Sequence, residues 1–171
     1  MKLYHGGIIA IEKPRIIRSD VGRDFGFAFY TTDIKEQAER WAWRRMLAAK
    51  RNGNANAAAV VSVFNYDDTG ARQELSFLDF PDTSMAWLEL VIDCRSERNH
   101  SHGYDVVTGK IANDNVGETV AYVMAGVMRK EDALERLRFQ KVNNQLAFCS
   151  ERALLYLKYD SHFTVTEAPH D

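Results

Sequence analysis

The chain has 171 residues, enough for one domain with a real hydrophobic core. Apolar residues make up 46% and charged residues 27%, and the formal net charge is −2, so the balance supplies no global electrostatic drive toward nucleic acid or membrane. No stretch approaches the roughly 20 apolar residues of a membrane helix; the opening MKLYHGG lacks an apolar signal-peptide core; and Cys94 and Cys149, without metal-ligand spacing, read as reduced buried thiols of a cytoplasmic protein.

In chain order, KLYH (2–5) reads as a short strand ended by Gly6 and Gly7. Residues 8–24 read as loop, punctuated by Pro14 and Gly22. FAFYT (27–31) is aromatic and β-prone. Thr32 or Asp33 can cap a helix, with Glu36 three residues after Asp33. From there Ile34, Ala38, Trp41, Ala42, Met46 and Ala49 form one apolar helical stripe running to about residue 50.

AVVSVFNY (59–66) is a continuous, largely β-branched run, the pattern of a buried strand, and QELSFLDF (73–80) alternates well enough to pair with it. Residues 84–94 set Trp87, Leu88, Val91 and Ile92 on one helical face, and 95–103 is polar and turns. A strand over 104–111, a loop over 112–118 and helices over 119–130 and 131–139 follow. NQLAFC (144–149) reads as a strand, Ser150 as the N-cap of a helix over ERALLYLKY, and 161–167 as a closing strand. Strands and helices mix without regular alternation and without an internal repeat, so the fold class is α+β in a single domain over 1–171.

Five positions carry the functional signal. His5-Gly6 ends the first strand; Tyr30 ends an early strand; Trp41 lies eleven residues on, in the next helix; Gln145 opens a late strand. Breaking a nicotinamide–ribose bond calls for such groups. A flat pyridinium lies on an aromatic face. Its carboxamide needs close backbone donors and acceptors, which glycine permits. The ribose hydroxyls need fixed polar partners, and the oxocarbenium-like transition state is stabilised by an acceptor aimed at it.

LYHG followed by DFGFAFYTTDIKEQAERWA resembles the ADP-ribosyltransferase superfamily, in the branch that includes diphtheria toxin and the poly-ADP-ribose polymerases. That branch carries a first-motif His-Gly, a Gly-rich turn leading to Tyr with another aromatic about eleven residues on, and a third-motif Glu that some clades replace by Asp or Gln. The chain is more similar still to an uncharacterised bacterial toxin-like domain family of that superfamily, through YHG, DFGFAFYTT, QAERWA, YDVVTGKIAND and a final QLAF followed by ALLYL, spread over residues 3–157.

The resemblance implies two small antiparallel or mixed sheets flanked by helices. It implies NAD as co-substrate with no metal. His5 would bind the adenosine ribose, Gly6 the carboxamide, Tyr30 and Trp41 the two faces of nicotinamide, and Gln145 the nicotinamide-ribose 2′-hydroxyl. The implied activity is mono-ADP-ribosylation of a protein or nucleic acid by a cytoplasmic toxin-like effector, held in check by a small antitoxin protein and needing no membrane.

Gln145 departs from the commonest pattern. A neutral amide orients a hydroxyl but supplies no charge, which costs about 10²–10³ in rate if one electrostatic partner is a fair guide. Glu151, six residues on, offers a carboxylate, although the first turn of a helix favours one anyway. Asp105 and the ANDN segment with Asp114 are further polar candidates of a type that commonly forms turns. Arg40, Arg44, Arg45, Lys50 and Arg51 form a run without an acid, read either as a solvated helix face or as a surface for pyrophosphate or an acidic target. DFG here lacks the companion kinase motifs. Two other readings of the same pocket stay open: an NAD glycohydrolase, and an inactive module that binds NAD, ADP-ribose or a protein.

Overall fold

The computed structural model describes residues 1–18, 23–96, 101–111, 114–137 and 143–169. Among them, strands β1 (Lys2–Gly7), β2 (Phe29–Thr31), β3 (Ala59–Tyr66), β4 (Phe77–Phe80), β5 (Val106–Ile111), β6 (Asn143–Phe148) and β7 (Leu157–Val165) form two small sheets. The first, in the order β1-β3-β7, is antiparallel throughout. The second, β2-β6-β5-β4, is mixed, because β4 runs parallel to β5. The fold is α+β with two small sheets, as expected; one is antiparallel and the other mixed.

Helices α1 (Lys35–Arg51), α2 (Asp68–Glu74), α3 (Met85–Ser96), α4 (Asp114–Met124), α5 (Lys130–Leu137) and α6 (Glu151–Leu154) complete the described chain. The sheets face each other across a core built from Leu3 and Phe64 on one side and Phe29, Val106 and Phe148 on the other. The outer face of the second sheet is covered by Trp87, Leu88 and Val91 of α3, Val120 of α4 and Ala133 and Leu137 of α5. The outer face of the first sheet lies under α1 through Ala38, Ala42 and Met46. Four layers result, and β3, predicted as a buried strand, lies at the centre of its sheet with apolar contacts on both faces.

Several expectations are corrected. Residues 73–80 do not pair with β3, whose two edges belong to β1 and β7. Instead 68–74 is helix α2, closed by the Asp67 side chain accepting from Gly70 N at 3.0 Å. β4 is held to α2 and β5 through Asp79, which accepts from Arg72 Nη1 at 3.0 Å and from Thr108 Oγ1 at 2.6 Å. The helix expected from 119 begins at Asp114, and the one after Ser150 stops at Leu154, because LKYDSHFTV joins β3 as β7. Neither Thr32 nor Asp33 supplies the N-cap side-chain bond of α1, whose cap residue is Ile34. Thr32 Oγ1 accepts from Ile34 N, and Asp33 accepts from the Asn144 side chain. Trp41 leaves the buried stripe of α1 and is 48% exposed, while Trp43 packs partly against the sheet. The helix lies too close to β1 for an indole in between.

Candidate active site

The site is built where β1 and β2 meet and part. Tyr4 and Thr32 exchange both backbone bonds, Tyr4 N to Thr32 O at 2.8 Å and Thr32 N to Tyr4 O at 3.0 Å. In an antiparallel strand the two polar groups of alternate residues point to the same edge. Gly6 therefore aims its N–H and C=O to the Tyr4 side, away from β3, and a continued ladder would pair it with Tyr30. No bond to either Gly6 group is found among the described residues. The ladder stops because the His5 imidazole enters the gap, donating from Nδ1 to the Tyr30 carbonyl at 2.7 Å and stacking on Phe29 at 4.6 Å.

That bond fixes the His5 tautomer. With Nδ1–H donating to a carbonyl, the neutral ring presents Nε2 as an acceptor. Burial lowers the His5 pKa below its ordinary 6.5, against the pull of the Tyr30 carbonyl, and the charges of Arg23 and Arg45 lower it further. The ring is neutral at pH 7.

Gly6 is dictated by α1. A Cβ there would fall onto the Ala38 carbonyl oxygen and come within 2.9 Å of Ala42 N. The turn Ala38–Ala42 therefore sits on β1 at Gly6, and it carries Trp41 beside the open amide edge. Arg45 lies one turn after Trp41 on the same flank, which faces the β6 side because Gln37 on that flank bonds to β6. Arg40, Arg44 and Arg51 point away from the buried stripe, as a solvated helix face does.

Tyr30 is anchored at its far end. Its hydroxyl donates to Gly26 O at 2.6 Å and accepts from Phe25 N at 3.2 Å. Gly26 N in turn bonds Arg23 O, and Gly26 has φ 75°, a left-handed turn geometry that glycine adopts without strain. Burial, with the neighbouring Asp24 and Cys149, raises the phenol pKa well above its ordinary value, so Tyr30 stays protonated. Asp24 is itself held by Arg95 of α3, through Nε at 2.8 Å.

Gln145 lies one residue beyond the end of β2 and is 7% exposed. Tyr30 pairs with Ala147 across β2 and β6, and Ala147 and Gln145 share a face of β6, so Gln145 is the diagonal neighbour of Tyr30. β6 is fixed there by a two-bond amide clamp. Gln37 Nε2 donates to Asn144 O at 3.0 Å, and Asn144 N donates to Gln37 Oε1 at 3.2 Å. Asn144 Nδ2 adds a bond to Asp33 Oδ1 at 3.0 Å.

Arg23 was not singled out by the sequence, where an arginine beside a glycine carries no signal of its own. Its guanidinium lies over the Tyr30 ring, 5.6 Å from the centroid, and its Nε is buried without a hydrogen-bond partner among the described residues.

His5, Gly6, Tyr30 and Gln145 thus gather around the parting of β1 and β2, with Trp41 on the helix above Gly6. The other candidates lie elsewhere. Glu151 begins α6, past the opposite end of β6, and Gln145 and Phe148 alone are already ~10 Å apart along the strand at ~3.3 Å per residue. It cannot supply charge beside Gln145. Asp105 is used structurally: its carboxylate accepts from Ser76 N at 2.9 Å, Ser76 Oγ at 3.0 Å and Ser150 Oγ at 2.6 Å. Burial alone would raise its pKa, but these bonds and the Arg152 charge hold it below the ordinary carboxylate value. Asp114 opens α4; its side chain, like residues 112 and 113, lies outside the described residues. Cys149 lines a second concavity of about 550 Å³ with Arg18, Phe27, His102, Tyr104 and Glu151, and burial pushes its thiol up to about 12, where it is no nucleophile.

Chemically, the parting of the strands offers a free peptide edge, two aromatic faces, an imidazole acceptor, a primary amide and a cation with an unfilled donor. Such a set can hold a flat ring bearing an amide, together with hydroxyls and an anion. A family model described as protein of unknown function (DUF3990) matches residues 1–159. No curated protein and no solved structure matches.

Proposed function

The chain belongs to the family described as protein of unknown function (DUF3990), and from that premise we propose that it is an NAD-dependent mono-ADP-ribosyltransferase. The reading makes it a cytoplasmic toxin-like effector that modifies a macromolecular target, protein or nucleic acid, and is restrained by a small antitoxin protein. One observation carries it: β1 and β2 part after a single bonded pair, leaving the amide edge of Gly6 open opposite Tyr30. A carboxamide fits that edge as a further residue of the ladder would, donating to Gly6 O and accepting from Gly6 N.

In this reading nicotinamide lies between Tyr30 and Trp41, and His5 Nε2 accepts from a ribose hydroxyl of the adenosine. Gln145 orients the 2′-hydroxyl of the nicotinamide ribose. The bond between ribose C1′ and the pyridinium nitrogen breaks, and its electron pair leaves with neutral nicotinamide. The target nucleophile then bonds to C1′ and releases its proton to solvent. The chain contributes position and dipoles rather than a base.

The neutral amide of Gln145 favours a second reading, in which the same pocket binds NAD without turning it over. With water as the acceptor, the reaction would instead be NAD hydrolysis.

The test uses NAD labelled on the adenylate with a cell lysate, beside His5→Ala and Tyr30→Ala. Label passing to a macromolecule, and lost in both variants, is the expected result. Free ADP-ribose alone would mean hydrolysis. NAD binding by calorimetry without nicotinamide release would mean the binding module, and absence of binding would overturn the pocket. Gln145→Glu is expected to raise nicotinamide release about 10- to 100-fold, since it restores a charge beside the oxocarbenium.

A further inference from the structure

Two facts about Arg23 stand apart from the roles assigned above. Its guanidinium, a flat delocalised cation, occupies a face of the Tyr30 ring. Its Nε–H is buried and lacks an acceptor among the described residues. A buried donor without a partner is a standing cost, which an incoming acceptor relieves. The ring contact recovers only part of it. Arg23 is therefore held where it is weakly satisfied, one ring away from where a stronger partner would be.

Resting on the NAD reading, we propose that Arg23 is a resident mimic of the pyridinium and an exchange residue that selects for a dinucleotide. A flat cation entering the site takes the Tyr30 face and displaces the guanidinium. A ligand that also carries a pyrophosphate gives the displaced guanidinium the anionic oxygens its Nε lacks. A flat cation without phosphate displaces Arg23 and returns nothing. Selectivity for NAD over its phosphate-free fragment then comes from one side chain counted twice, as competitor and as partner. Arg45 and His5 lie close enough to share the local field, but His5 stays neutral and Arg45 is on the exposed flank of α1, so neither duplicates the contact.

The test compares two probes, NAD and nicotinamide riboside, by calorimetry on the full chain and on Arg23→Ala. Losing the competitor should tighten the riboside about twofold to fivefold, the equivalent of one cation–π contact. Losing the charge-assisted partner should weaken NAD by about tenfold, since such a bond outweighs the ring contact. Opposite shifts for the two probes are the expected result, and a merely structural role would move both the same way. Arg23→Lys, which keeps the charge and loses the planar fork, should tighten the riboside while holding NAD nearer to the parent; it carries the test if Arg23→Ala does not fold. Shifts of the same sign, or none, while the parent binds NAD would overturn the exchange and leave the NAD reading standing. A parent chain that binds neither probe would overturn both.

Discussion

His5 donates Nδ1–H to the Tyr30 carbonyl, so a second proton on the ring would turn Nε2 from acceptor to donor. The folded pKa lies below the ordinary 6.5 because of burial. As pH falls from neutrality, the unfolded chain therefore takes up the proton first, and stability declines from about pH 6.5 down to the folded pKa, where the loss levels off. Urea midpoints measured between pH 7.5 and 5 should fall for the parent and change less for His5→Asn, which keeps an N–H donor but does not titrate. An equal slope in both would mean that His5 is not the titrating group. Tyr30 shows what residue types alone convey: its place in an early strand was legible, but its tethering to the Gly26 turn depends on a glycine φ that the sequence does not print.

At the scale of elements, Gly6 has a packing role beside the binding role that the resemblance implies. The resemblance assigned it to a carboxamide; the fold also needs it to let α1 onto β1. Gly6→Ala is expected to destabilise the chain by about 1–3 kcal/mol or more, the usual cost of overpacking. On the proposed NAD reading it should weaken NAD binding at the same time, since the open edge shifts with the helix. Chemical denaturation and calorimetry read the two effects, and a variant as stable as the parent would contradict the close packing. Strands with strong patterns, β1, β3 and β6, were legible to within a residue or two. α2 was not, because a seven-residue helix containing Gly70 depends on its Asp67 cap and on Arg72 reaching Asp79. β7 was half hidden by a helix-like run, since LKY satisfies a period of two as readily as one of 3.6. Trp41 misled for a related reason: periodicity places a residue on a stripe, but the spacing between helix and sheet decides whether an indole fits under it.

For the whole molecule, the end of the second sheet remote from the site is stapled by Asp105, which ties the start of β5 to Ser76 before β4 and to Ser150 after β6. Its carboxyl is held below the ordinary value of 3.8, so the staple contributes stability above that pH and loses it as the carboxyl is protonated. Asp105→Asn should flatten the acid limb of the stability profile below about pH 4 and, on the proposed reading, leave NAD affinity unchanged. A loss of affinity would mean that the two ends of the sheet are coupled. The α+β class was legible from element order, and the scattered motifs named residues that the fold brings to the parting of β1 and β2. The path connecting them, with β4 on β5 rather than on β3, was not, since strand partners are chosen by free edges and long-range side-chain bonds.

The chain alternates between its sheets, entering the first with β1, leaving for β2, returning for β3, and coming back once more with β7 after β4, β5 and β6. Neither sheet is complete until a late segment joins it, and the cleft needs Gln145 from near one terminus and His5 from the other. Closing such distant contacts is slow, because loop entropy is lost before the pairing returns anything. During synthesis, then, the strands and helices ahead of β6 leave the ribosome before the cleft can be completed. A prematurely terminated product that stops short of β6 would carry His5, Tyr30 and Trp41 without Gln145, and with neither sheet complete.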